Sequence, residues 1–236
     1  MSRLRAHLLA PALSLAIVAA TIAGCGGGSS SGNGIADKSP TQILAATKQV
    51  SDAAKSVHVS GSLVSGGTPI TIDVDLIAGQ GGRGKLSQNG LAFELIEVAN
   101  TVYIKGSSSF YQHIGGSAAA QLLQGKWLKA PASSSGFASI GQLTNLRQLV
   151  DQTLADHGTL TKSGTTTING EKVVGVTDKT KGGTLYIAAT GKPYPVQISR
   201  NGAGTGTITF DRWNEPVTLA APANAIDIAQ LQAAAK

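Results

Sequence analysis

Cys25 is the one cysteine of this 236-residue chain, and its thiol carries the most distinctive chemistry in the sequence. A chain with a single cysteine cannot form a disulfide within itself. Cys25 lies between an uncharged apolar run and the glycine- and serine-rich stretch 26–34. It is preceded by Ile22, Ala23 and Gly24, an aliphatic residue followed by two small ones. The role of the thiol therefore depends on the segments on either side of it.

The segment before Cys25 has the pattern of an export signal. Arg3 and Arg5 give a positive start without an acid, and residues 8–24 carry no charge. A membrane-spanning helix needs roughly 20 apolar residues; this run is shorter, and Pro11 interrupts it. Residues 1–24 are therefore predicted to be a signal peptide.

Residues 22–25 resemble the lipobox of bacterial lipoproteins. The resemblance implies that Cys25 receives a diacylglyceryl group, becomes the first residue of the mature protein and anchors it to the extracytoplasmic face of the cell membrane. Two acyl chains suit an anchor because one chain binds a membrane only marginally. Residues 25–37 would then include a flexible tether. A stray or buried cysteine behind an ordinary signal peptide is the alternative.

Other reactive side chains form no recognisable catalytic or metal-binding motif. Asp73 and Asp75 could act as paired carboxylates, but a glycosidase pair holds its substrate between carboxyls about 5–9.5 Å apart, and no aromatic residues flank these two. A solvent-exposed strand face is the favoured interpretation. His58, His113 and His157 are dispersed and are predicted to lie on the surface or in turns. No metal or cofactor is expected, and the chain is predicted not to be an enzyme; a hydrolase with an unrecognised site is a weaker alternative.

The composition also argues against nucleic acid as a partner. The net charge is +6, but the lysines are scattered without a run of like charges, whereas nucleic-acid-binding proteins usually cluster them. The 30 glycines and few aromatic residues favour a sheet with many tight turns over a helical bundle. Without a disulfide, burial of apolar residues must stabilise the fold.

Hydrophobic periodicity predicts the elements that would position these residues. Helices are predicted over 39–57, with Ser39 as N-cap, Pro40 at N1 and Gln42 completing a capping box, and over 116–125, 139–158 and 224–236. Runs with a period of two fall into one group before and one group after the middle helices. This order predicts the α+β class with an antiparallel sheet.

The predicted strands place apolar residues on one face of the sheet. In residues 70–76, the alternation sends Ile72 and Val74 to one face and Asp73 and Asp75 to the other. That apolar face needs a partner, which is either a packed core or a cavity for lipid. Trp127 is predicted either at the mouth of such a cavity or as an anchor at the core edge. The candidate cavity residues are Ile72, Val74, Phe93, Leu95, Ile104, Trp127, Ile187, Ile198, Ile208 and Phe210.

Several ordered pieces of the chain resemble one family. "SPTQILAATKQVSDAAKSVHVSG", "NTVYIKG", "KWLKAP" and the closing run "GTLYIAATGKPYPVQISRNGAGTGTITFDRWNEPVTLAAP" are similar to the LppX, LprA, LprF and LprG group of mycobacterial and other actinobacterial lipoproteins. The resemblance covers about 38–231. It implies a curved antiparallel half-barrel sheet with helices on its concave side, similar to the LolA and LolB carriers, and an apolar cavity that holds acyl chains of lipids or lipoglycans.

These observations favour a membrane-anchored lipoprotein that binds a lipid or glycolipid and carries it across the cell envelope. Residues 38–236 are expected to form a single lipid-binding domain and the protein to be a monomer. The expected partners are the membrane, the lipid ligand and a membrane transporter, with no nucleic acid. The alternative is a structural or assembly lipoprotein whose packed core supports binding to a protein partner.

Overall fold

The computed structural model describes residues 32–134, 137–201 and 204–234. The predicted signal peptide, Cys25 and the first part of the tether lie outside the described residues. Residues 33–37, predicted as the end of the tether, contact the fold directly. Asn33 donates its backbone N–H to the carbonyl oxygen of Ala189 at 2.9 Å, and Ile35 is only 2% exposed.

The strands within the described residues form one sheet. They are β1 (Ser56–Ser65), β2 (Thr68–Ile77), β3 (Gly81–Gln88), β4 (Leu91–Val98), β5 (Thr101–Gly106), β6 (Leu128–Pro131), β7 (Leu160–Ile168), β8 (Glu171–Asp178), β9 (Thr184–Ala188), β10 (Pro195–Arg200), β11 (Gly206–Asp211) and β12 (Ile226–Asp227).

The helices are grouped before the sheet, between its two strand groups and at the end of the chain. They are α1 (Pro40–Asp52), α2 (Ser108–Leu123), α3 (Ala138–Leu143), α4 (Leu146–Ala155) and α5 (Ile228–Ala234). None of these described helices is long and apolar enough to cross a membrane.

The order of strands is β12-β6-β5-β4-β3-β2-β1-β11-β10-β9-β8-β7. All neighbours are antiparallel except β12 and β6, which are parallel. Because β12 and β7 are edges, the sheet is open and not a closed barrel. The predicted α+β class with a half-barrel antiparallel sheet is confirmed. The turn Asn169-Gly170 between β7 and β8 has φ angles of 50° and 82°, as a type I′ turn requires.

Helix α1 begins where the sequence predicts it and ends earlier. The Ser39 side chain accepts a hydrogen bond from the backbone of Gln42 at 3.3 Å, and the Gln42 side chain accepts one from the backbone of Ser39 at 3.0 Å. This capping box, with Pro40 at N1, confirms the predicted start. The helix ends at Asp52 rather than near 57, because Ser56 already pairs with Ile77 in the sheet.

The middle helices differ from the prediction. The stretch 139–158 is not one helix but two, because Asn145 is extended (φ −87°, ψ 100°) and its side chain caps α4 by accepting from the Gln148 backbone at 3.1 Å. The helix predicted over 116–125 begins earlier, at Ser108, and Gly116 (φ 75°) breaks it in the middle.

The largest core lies between α1, α4 and one face of the sheet. Ile43 of α1 and Val150 of α4 pack there against strand residues such as Val57 and Leu76. Lys48 of α1 forms ion pairs with Asp52, at 3.1 Å, and with Asp151 of α4. A smaller cluster around Tyr111, Leu123 and Leu128 fixes α2 over the β6 side of the sheet.

Candidate functional site

Strand register aligns apolar residues of eight neighbouring strands into a row, called here the first row. Cα partners in register direct their side chains to the same face of a sheet. The row joins the strands from β8 to β4, with glycine in place of a side chain on β1. Its members are Val176, Leu185, Ile198, Ile208, Gly61, Ile72, Leu86 and Phe93.

A second row runs beside the first, towards the opposite ends of the strands. Its members, from β11 to β6, are Phe210, Val59, Val74, Gly84, Leu95, Ile104 and Leu128. Eight of the ten candidate cavity residues lie in these two rows, so the sheet does bring them onto one face.

The two rows differ in burial. In the second row the apolar side chains are buried, and Val74 is only 2% exposed. Ile187 of β9, another candidate residue, is 0% exposed in the same core. In the first row every apolar side chain except Val176 is only half-buried. The second row is therefore ordinary packed core, whereas the first row borders open space.

That open space is a cleft of about 270 Å³ between the helices and one end of the first row, called here the cleft. Leu44 of α1 and Leu154 of α4 form its helical wall. The strand wall is formed by Leu63, Leu160, Val176, Leu185, Ile198 and Ile208. Of the candidate residues, Ile198 and Ile208 line the cleft, and Ile72 packs against the core beside it.

The rim of the cleft is polar, in contrast with its walls. Asp156, at the end of α4, forms an ion pair with Lys181. Asp178 accepts backbone N–H groups of Thr180 at 2.8 Å, Gly158 at 2.9 Å and Lys181 at 3.0 Å. Hydrogen bonds from the Lys181 and Gly158 backbones hold the pKa of Asp178 below its ordinary value. The rim could therefore hold a polar group while an apolar chain occupies the cleft.

Phe93 and Trp127 lie outside the cleft. The Phe93 ring centroid is 5.3 Å from that of Phe110 in α2, so it belongs to the other end of the first row. Trp127 lines a shallow pocket of about 210 Å³ together with Asp73 and Asp75, on the face of the sheet away from the core. There the ammonium of Lys105 lies 5.0 Å from the Trp127 ring centroid.

The outer face of the sheet carries a polar network that sequence spacing does not reveal. His58 contacts Asp211 through Nδ1 at 2.7 Å and Asp73 through Nε2 at 3.1 Å. Asp75 forms ion pairs with Arg212 at 3.0 Å and Arg83 at 3.4 Å. Two carboxylates, of Asp73 and Asp211, thus contact the two ring nitrogens of His58. The contact with Asp73 follows from the pairing of the consecutive strands β1 and β2, but nothing local in the sequence indicates Asp211.

A larger hollow of about 440 Å³ lies at the opposite ends of the strands, but Glu97, Asn100 and Asn145 give it a mixed lining that suits an acyl chain less well than the cleft. Within the described ranges, no three histidine, cysteine or acidic side chains converge as a metal site.

Comparisons with known proteins agree with this architecture. No protein-family model matches the chain, and no curated protein matches it in sequence. The fold is similar to that of LprF from Mycobacterium bovis, with a TM-score of 0.56, 19% identity, and coverage of 78% of this chain and 97% of LprF. It is also similar to that of the lipoprotein LppX from Mycobacterium tuberculosis, with a TM-score of 0.50, 21% identity, and coverage of 76% of this chain and 99% of LppX. The chain therefore has an LppX/LprF-type fold, as the sequence resemblance implied.

Proposed function

We propose that this protein is a membrane-anchored lipoprotein that binds an acyl chain of a lipid in the cleft and carries it across the cell envelope. The observation that supports this function best is the half-open cleft of about 270 Å³ with apolar walls and a polar rim. An acyl chain needs such walls and few polar groups. Each buried methylene would contribute about 0.8 kcal/mol.

The size of the cleft suggests how a long acyl chain would bind. Ligand pockets usually measure about 300–1,000 Å³, so the cleft holds only part of a long acyl chain. The first row continues from the cleft as half-buried apolar side chains, through Ile72 and Leu86 to Phe93. Strands lie about 4.8 Å apart, so the row extends roughly 24 Å from β10 to β4. The remainder of the acyl chain would lie along the first row.

The anchor in this proposal is diacylglyceryl-Cys25, which keeps the protein at the extracytoplasmic face of the membrane. Because Asn33 and Ile35 contact the fold, the flexible part of the tether would be shorter than 25–37. A membrane transporter is the proposed source or acceptor of the lipid.

A structural or assembly lipoprotein is the second candidate function. The observation that favours it is the burial of Val74, in the second row, and of Ile187, in the same core, which are 2% and 0% exposed. In that case the cleft would be an incidental gap in the packing, and a protein partner would bind elsewhere.

Native mass spectrometry of the full chain distinguishes the two functions. The chain would carry Cys25→Ala, so that its own anchor does not occupy the cleft, and would be incubated with palmitate and with a bacterial lipid extract. A carrier is expected to retain a lipid mass, and Ile198→Phe should reduce that loading several-fold. Ser199→Phe, which adds bulk to the opposite face of the same strand, is the matched control. A lipid-free mass after both incubations would favour the structural protein.

A further inference from the structure

We propose that the cleft selects an acyl chain that ends in an anionic oxygen group, a carboxylate or a phosphate, and that Arg200 binds this group at the rim. This inference rests on the proposed function, because it concerns the head of the lipid whose chain occupies the cleft.

Arg200 is placed on the correct side of its strand for this role. It is the last residue of β10, two positions after Ile198, and residues two apart in a strand face the same way. Arg200 lines the cleft and is itself exposed. A polar group at the rim would therefore meet the guanidinium while the chain beyond it contacts Ile198.

Two glycines leave room for the Arg200 side chain along the rim. A Cβ atom at Gly183 would lie 2.9 Å from Cγ of Arg200, and one at Gly204 would lie 3.7 Å from its Cδ. Gly183 also has a φ of 96°, which side-chain-bearing residues rarely adopt. The Arg200 side chain, including its guanidinium, can therefore lie along the backbone of these glycines at the edge of the cleft.

The charges around the rim leave the guanidinium available. Asp156 already pairs with Lys181, and Asp178 accepts three backbone N–H groups. Over the ranges that the structure describes, the guanidinium of Arg200 has no ion-pair or hydrogen-bond partner. Arg200 is thus a cation beside an apolar cleft whose neighbouring acids are already engaged.

The chemistry of arginine favours an anionic head over a neutral one. Its planar guanidinium matches carboxylate and phosphate oxygens with two parallel hydrogen bonds. An acyl chain bound against the apolar wall would exclude water from one side of the ion pair, which strengthens it relative to one in open water. A hydroxyl head would gain neither the second bond nor the charge.

The experiment measures binding of three 16-carbon amphiphiles to the full chain carrying Cys25→Ala. Palmitate and palmitoyl lysophosphatidate present the two anionic heads, and hexadecanol presents a neutral one. Both anions are expected to bind about tenfold more tightly than hexadecanol, which corresponds to about 1.4 kcal/mol. Arg200→Gln should remove that advantage and leave hexadecanol binding unchanged. Arg147→Gln, which removes an exposed arginine of α4 outside the cleft, should change nothing.

The outcomes separate this inference from the proposed function. Tighter binding of one anion alone would support the inference and would identify the preferred head group as a carboxylate or a phosphate. Equal binding of all three amphiphiles to wild type and Arg200→Gln would overturn the role of Arg200 while acyl-chain binding stands. An equal loss for all three in Arg200→Gln would also overturn it, because packing would then explain the loss. Failure of all three to bind wild type would overturn both proposals.

Discussion

Replacing Val74 with phenylalanine tests whether the second row is closed core. Val74 is 2% exposed. On the neighbouring strand, Gly84 is so close that a Cβ atom there would lie 2.7 Å from Cγ1 of Val74. There is no space on that side for a larger ring. Extra bulk in a packed core typically costs 1–3 kcal/mol.

This loss of stability can be converted into a change in melting temperature. In a domain of about 150–250 residues, each kcal/mol corresponds to roughly 2–4 °C, so a cost of about 2 kcal/mol for Val74→Phe should lower Tm by about 4–8 °C. Ile198→Phe places similar bulk beside the open cleft. Its cost should stay near the roughly 0.5 kcal/mol of an uncrowded site, or about 1–2 °C.

The assay pairs a thermal melt with lipid loading, measured below both transitions. Val74→Phe should melt early and still load lipid, and Ile198→Phe should melt almost normally and load poorly. A near-normal melt of Val74→Phe together with lost loading would refute this reasoning, because it would place Val74 on the wall of a cavity that opens for the ligand.

Three other changes test separate parts of the structure. Cys25→Ala should abolish incorporation of labelled palmitate; unchanged labelling would exclude the lipobox assignment. Thr47→Val should stabilise the protein by about 1 kcal/mol, because the buried hydroxyl of Thr47 has no hydrogen-bond partner among the described residues; a lower Tm would contradict this. Asp178 has a lowered pKa in the fold, so its stabilising contribution is present above the ordinary value of 3.8 and is lost as the pH falls through the lower folded value. Asp178→Asn should therefore lower Tm near neutral pH and have a smaller effect in acid; an equal effect at both pH values would argue against it.

The sequence predicts which face of a strand is apolar but not whether that face is covered. The alternation in β2 places Val74 opposite Asp73 and Asp75, and the structure agrees. The same pattern in β10 directs Ile198 inward, yet Val74 is buried in core whereas Ile198 borders open space. The difference depends on where helices lie over the sheet, which the period of a strand does not contain.

Helix boundaries were predictable where a local signal acts and not where two signals compete. The capping box at Ser39 starts α1 as predicted. The leucine stripe through 139–158 favours one continuous helix, but the Asn145 side chain caps the backbone of a new helix. Asparagine competes with the helix for backbone hydrogen bonds, and this competition creates the break.

Contacts between strands that are far apart in the sequence could not be predicted, for a different reason. Asp211 reaches His58 because β11 pairs with β1. The antiparallel pairing of consecutive strands can be inferred from short turns. Strands β1 and β11, in contrast, are separated by most of the described chain, so no turn indicates that they pair. The rim position of Arg200 depends on that same arrangement and on β9 lying beside β10.

The cleft exists because the apolar stripe of α4 ends before the strands beneath it do. Leu146, Val150 and Leu154 follow one another at four-residue spacing and are all buried. The next positions of that stripe are 157 and 158, and they hold a histidine and a glycine after α4 has ended at Ala155. Since no apolar side chain continues the stripe, Leu185 and Ile198 are covered less fully than the core residues and stay half-buried. A helix one turn longer, with leucine at 157, would extend the apolar stripe over the cleft that His157 now lines.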